Sequence, residues 1–192
     1  MNKDNIKTFF DKIAPNWDNE PIADEEILNT ILENGGIEKD IDILDVGCGT
    51  GVLFPYYLAI NVKSITAVDM SSEMVKIAKS KFPQVDVICG DAETITFDRQ
   101  FDAIMIYNAF PHFPSPLNVI KNLSKALKNG GRFTIAHGLS KTELDEIHMK
   151  SAGAVSNILP ECGELAEMLS PYFDVDIMIS NDKMYQVSGT KK

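Results

Sequence analysis

Short runs crowded with apolar and β-branched residues alternate along the chain with longer stretches of helical spacing. IDILDV (41–46), SITAVD (64–69), VDVICG (85–90), FDAIMIY (101–107) and GRFTIAH (131–137) are bounded by turn residues and read as strands. Between them, Met74, Ile77, Ala78 and Lys81 follow the cap candidate Ser71, and Leu117, Ile120, Leu123 and Leu127 follow Pro116. Each set has the spacing of one helix face. Near the carboxyl end, YFDVDIMIS and KMYQVSGT are separated only by Asn181 and Asp182, which predicts a hairpin and a final antiparallel strand. The pattern as a whole predicts an α/β fold: a doubly wound, mostly parallel seven-stranded sheet with an antiparallel last strand and helices on both faces.

Composition narrows this little but usefully. A chain of 192 residues with 44% apolar content is enough for one full core, so residues 1–192 read as a single domain. Cys48, Cys89 and Cys162 are odd in number and scattered, which fits a reduced compartment rather than a disulfide framework. A net charge of −10 repels phosphate backbones and anionic lipid, disfavouring nucleic-acid or membrane partners. With no apolar run of spanning length and no leader pattern, the expected location is cytoplasmic. A small or cationic ligand suits this charge balance.

Candidate chemistry centres on ILDVGCGTG, residues 43–51. Gly47, Gly49 and Gly51 sit where a strand turns sharply into a helix, and glycine permits both positive φ and close approach of a ligand to the backbone. Amides at such a turn suit a carboxylate or phosphate; a purely structural turn is the bland alternative. Asp45, just before the loop, would oppose a pyrophosphate but pair with an amino group. Asp69 ends the second strand, where an acid accepts from ribose hydroxyls. Asp91 follows the third strand, placed to accept from an adenine amino group, with the Ala92 amide offered to a ring nitrogen.

ILDVGCGTG, VDMS (68–71), GDAE (90–93), FDAIMIYNAF (101–110) and ALKNGGRF (126–133), in this order, closely resemble the class I, seven-stranded, S-adenosylmethionine-dependent methyltransferases of small-molecule type. The resemblance covers roughly residues 9–137. It implies S-adenosyl-L-methionine as cofactor, with Asp45 and the Gly47–Gly51 backbone, Cys48 and Gly49 included, holding its methionine part. It also implies Asp69 on the ribose, Met70 against one adenine face, Asp91 and Ala92 on the adenine edge, and Asn108 near the sulfonium. The implied reaction is in-line methyl transfer to a small-molecule acceptor. Two alternatives stand beside it: a non-catalytic S-adenosylmethionine-binding sensor or subunit, and, more remotely, an NAD-dependent oxidoreductase, whose turn would read G-x-G-x-x-G.

The segment FFDKIAPNWD (9–18) resembles the amino-terminal cover of small-molecule methyltransferases related to the quinone-biosynthesis enzymes. Residues 1–36 are expected to form a helical lid with Phe10 and Trp17 on its underside, Pro15 interrupting the helix. A plain amphipathic first helix is the competing reading. His112 and His137 follow the fourth and fifth strands, at the carboxyl ends where ligands bind in open α/β sheets. His148 shares a helix face with Leu144 and Ile147, after the capping-box pattern SKTE at Ser140. Three readings apply to these histidines: hydrogen-bonded core residues, a general base (His137 first, His112 second), or a divalent metal held by His112, His137 and His148. Residues 138–171 depart from the commonest family pattern and are expected to form a helical insertion on the substrate side. No motif specifies the acceptor or an oligomeric state.

Overall fold

The computed structural model describes residues 1–19 and 24–192, apart from the side chains of His148 and Ser151. One sheet contains β1 (Asp42–Val46), β2 (Ser64–Asp69), β3 (Asp86–Cys89), β4 (Phe101–Tyr107), β5 (Leu127–His137), β6 (Phe173–Ser180) and β7 (Tyr185–Lys191). Their spatial order is β3-β2-β1-β4-β5-β7-β6. The pairs from β3 across to β5 are parallel, whereas β7 runs antiparallel between β5 and β6. Chain order reverses between β1 and β4, so a crevice opens at their carboxyl ends.

The helices are α1 (Lys3–Ile13), α2 (Glu25–Asn34), α3 (Phe54–Ile60), α4 (Ser72–Lys81), α5 (Pro116–Ala126), α6 (Lys141–Ile147) and α7 (Cys162–Leu169). Every residue of β1 is buried, and the period-two alternation of a strand divides them between two cores. Ile43 packs in a cluster with Leu28 and Ile31 of α2, Phe54 and Tyr57 of α3, and Val75 and Ala78 of α4. Leu44 and Val46 face the opposite cluster, with Val119, Ile120 and Leu123 of α5 and Leu165 and Leu169 of α7. Burying each such large apolar side chain contributes roughly 1.5 to 3 kcal/mol before chain entropy is counted. The expected doubly wound layering is therefore present.

Ser71 caps α4 by accepting from the Met74 amide, and Ser140 and Glu143 exchange hydrogen bonds in the expected box before α6. Four sequence expectations change. In α5 the buried stripe is Val119, Ile120 and Leu123; Leu117 points to solvent and Leu127 already belongs to β5. Ile147 is exposed, so only Leu144 of the predicted inward face is buried among the described residues. The β6–β7 link spans residues 181–184 rather than two, because Asn181 Oδ1 accepts from the Lys183 and Met184 amides and closes a turn of its own. Within the expected 1–36 cover, α2 is a core helix: Leu28 and Ile31 are wholly buried against the sheet, which leaves, among the described residues of that cover, those before 20 over the strand ends. Among the described residues no helix is long and apolar enough to cross a membrane.

Candidate functional site

Asp45, Asp69 and Asp91 stand at the carboxyl ends of three neighbouring strands, β1, β2 and β3. The turn after β1 is tied to β2 by the Gly47 and Cys48 amides, which donate to the Val68 carbonyl at 2.7 and 3.2 Å. Gly47, at φ +73°, could not carry a side chain because its Cβ would run into Ala109. Gly51, at φ +88°, would place a Cβ 2.5 Å from the Phe54 ring. Gly49 differs. Among the described residues a Cβ there would meet only the Trp17 indole nitrogen, at 3.5 Å, an ordinary van der Waals contact. Cys48 is buried inside the turn, and burial with the charges of Asp69 and Asp45 pushes its thiol well up.

Asp45 is 2% exposed. Burial raises its carboxyl to about 7; the Tyr57 hydroxyl eases this in part, and the charge of Asp69 adds to it. Among the described residues no cationic side chain figures in the influences on this carboxyl. Asp69 is also raised by burial, opposed by its backbone hydrogen bonds. Its Oδ2 accepts from the Gly49 amide at 2.8 Å and its Oδ1 from the Ser71 amide at 2.8 Å. Asp91 Oδ1 accepts from the Glu93 amide at 2.9 Å. Ala92 is buried, its carbonyl held by Asn122 Nδ2 at 3.1 Å. Met70 lies half-buried between these acids. Asn108 adopts φ +52°, a left-handed conformation asparagine tolerates, and its Oδ1 accepts from the Gly138 amide.

α1 and the 3₁₀ turn Ala14–Asn19 lie across these strand ends. Lys3 Nζ is 2.7 Å from Asp91 Oδ2 and 2.7 Å from Glu93 Oε2. Asp11 Oδ1 accepts from the Ser71 hydroxyl at 2.6 Å and the Glu73 amide at 3.1 Å, at the start of α4. Burial alone would raise Asp11, but these bonds and Lys7 hold it at about 2. Asp18 accepts from the Thr50 hydroxyl and pairs with Lys81 at 2.7 Å. Inside this frame Phe10 packs edge-on against Trp17 and His112, at 6.0 and 4.8 Å between ring centres.

The histidines separate. His112, half-buried after β4, has Nδ1 3.0 Å from the Val155 carbonyl and 3.1 Å from the Ser156 hydroxyl. It joins the amino-terminal cover to the segment after α6. His137 is 1% exposed at the end of β5, its ring 6.0 Å from Tyr185. The expected placement of His148 lies outside the described residues. Among the described residues no group of three His, Cys, Asp or Glu side chains is arranged to hold a metal ion. Sequence reasoning missed Lys3, Asp11, Asp18, Thr50 and Glu93. Isolated charges on an amphipathic helix look like solvated surface, and only the packing of α1 on α4 shows their partners.

Residues 44–135 match the family described as methyltransferase domain. The chain is 35% identical over 137 residues to malonyl-[acyl-carrier protein] O-methyltransferase of Priestia megaterium, an alignment covering 68% of this chain and 50% of that one. It is 26% identical over 174 residues to demethylmenaquinone methyltransferase of Renibacterium salmoninarum, covering 80% and 70% respectively. The chain thus spans about half the length of the first of these relatives. The structure resembles magnesium protoporphyrin IX methyltransferase from Synechocystis PCC 6803 with bound S-adenosylhomocysteine, with TM-score 0.75, 15% identity and full coverage of both chains.

Proposed function

We propose that the chain is a class I, seven-stranded S-adenosylmethionine-dependent methyltransferase and that it transfers a methyl group from S-adenosylmethionine to a small-molecule acceptor. The observation that carries this reading is the buried Asp45 carboxyl, raised to about 7 with no cationic influence among the described residues, in the strand that leads into the Gly49 turn. An amino-acid-like ligand brings an ammonium to the acid, and the side-chain-free glycine backbone lets it approach closely. Asp69 and Asp91 extend an acceptor row along the neighbouring strand ends, fitting a sugar and an amino-bearing base, whereas a pyrophosphate would face three carboxylates. Small-molecule acceptors are favoured by the names of the relatives, which act on malonyl-[acyl-carrier protein] and demethylmenaquinone.

When bound, S-adenosylmethionine supplies an electrophilic methyl group. The chain's part is then mostly alignment of acceptor and sulfonium, since proximity and orientation alone lower such barriers substantially. Phe10 and Trp17 would exclude water above the turn. A neutral acceptor needs a base, and His112 is better placed than His137 for it. His112 is half-buried beside Phe10 of the amino-terminal cover, whereas His137 is enclosed at the end of β5. The segment 138–171 contributes Val155 and Ser156 to this side of the crevice. Three free thiols fit a reducing compartment such as the cytoplasm.

Calorimetric titration of the whole chain with S-adenosylmethionine, S-adenosylhomocysteine and NADH tests the reading. Binding of the first two and not the third is expected, followed by transfer of labelled methyl to a member of a quinol, phenol and thioester panel. Preferential NADH binding would overturn it, and tight cofactor binding without transfer across the panel would mark a sensor instead.

A further inference from the structure

Lys3, Asp11 and Asp18 are among the residues that hold the amino-terminal segment over the strand ends, and their contacts involve different kinds of carboxylate. Asp11 and Asp18 are acids of the segment itself, received by Ser71, Glu73, Thr50 and Lys81. At Lys3 the polarity is reversed. The segment supplies the cation, and the acids it grips, Asp91 and Glu93, belong to the loop after β3. Asp91 is also the residue expected to accept from a base amino group. Its two oxygens are engaged, Oδ1 with the Glu93 amide and Oδ2 with the Lys3 ammonium. Glu93 is anchored independently, its Oε1 accepting from the Ser115 amide at 3.0 Å, and it is the more buried partner of Lys3.

Resting on the cofactor reading above, we propose that the Lys3 ammonium latches α1 to the loop after β3 and is an internal competitor for the adenine amino group at Asp91, yielding Asp91 to the cofactor while Glu93 keeps its hold. An ammonium and an exocyclic amino group are both N–H donors, so they contest the same acceptor. Glu93 retains the ammonium when Asp91 is surrendered, so Lys3 moves between acids without ever being left unpaired. The latch is weak by construction: Lys3 is over a third exposed, and ion pairs of that kind contribute little against solvent. Apparent cofactor affinity is then the intrinsic affinity multiplied by the fraction of molecules whose Asp91 is released.

The test compares the full-length wild type with Lys3→Gln and Lys3→Arg, using S-adenosylhomocysteine as probe and hydrogen exchange of the amides in residues 3–13 as a second readout. Lys3→Gln should speed exchange across α1 in the ligand-free protein and tighten S-adenosylhomocysteine by about 2- to 10-fold, while Lys3→Arg stays near wild type. Binding by the wild type with equal or weaker affinity in Lys3→Gln would overturn the latch and leave the cofactor reading standing. Absence of binding in both proteins would instead sink the cofactor reading; the exchange measurement then decides the latch, unchanged rates in Lys3→Gln overturning it and faster rates supporting it.

Discussion

The Gly49 amide donates to Asp69 Oδ2 across 2.8 Å, so the acid at the end of β2 props the glycine turn that follows β1. Two elements that would hold different parts of one ligand are thereby built as a single unit. Asp69→Ala should weaken S-adenosylhomocysteine binding by about 1.5 to 3 kcal/mol, the range for hydrogen bonds to a charged group. It should also lower the melting temperature, because the Gly49 and Ser71 amides lose their acceptor. Calorimetry and thermal denaturation on the same samples check both; unchanged affinity would place the ribose elsewhere.

Asp45 predicts a pH signature. Its carboxyl titrates at about 7 in the folded chain, against an ordinary value of 3.8. The folded state therefore binds this proton more tightly than the unfolded chain does. The associated stability is complete below about pH 4 and is lost as pH rises through 7, a fall on the order of 4 kcal/mol. Denaturant unfolding of the wild type and Asp45→Asn across that window should show the fall in the first and not in the second. A ligand ammonium beside Asp45 favours the ionised form, so S-adenosylhomocysteine should release a proton on binding near pH 6 and none near pH 8. Calorimetry in buffers of different ionisation enthalpy reads the difference.

Gly47 and Gly49 share a positive φ but not an environment. Gly47→Ala must displace Ala109 as well as accept a left-handed backbone, and should cost roughly 1 to 3 kcal/mol of stability by overpacking. Gly49→Ala meets nothing closer than the Trp17 indole nitrogen, so its stability loss should stay near about 1 kcal/mol. Its added methyl would occupy the space proposed for the ligand, so affinity for S-adenosylhomocysteine should fall far more than stability. Equal behaviour of the two variants would show that the glycines serve the turn alone.

Much of this architecture was legible in the chain. β1 to β4 begin and end within a residue of the runs that predict them: β1, β2 and β4 are mostly buried on both faces and read as near-continuous apolar runs, whereas β3 lies at the sheet edge with its ends exposed. The acids Asp45, Asp69 and Asp91 were legible as a set, because parallel strands end on the same edge and place them side by side. The stripe on α5 was misread at Leu117, since periodicity states which residues share a face and leaves open where the core edge falls. α2 was read as part of a cover although its apolar face closes the core. Ligand-side segments and core helices share the same amphipathic pattern, and only the partner tells them apart.

Local order in the sequence was thus enough to determine the alternation of strands and helices, the glycine turn and the line of three carboxylates. These depend on backbone stereochemistry and on a period of two or 3.6 residues, both of which act between near neighbours. Tertiary structure alone decided that Lys3 reaches Asp91, 88 residues away, that Asp11 caps the start of α4, and that His112 faces the amino-terminal cover while His137 is enclosed. Such pairings are chosen by which surfaces meet once the sheet is covered, and a side chain's charge does not say in advance which partner it will find.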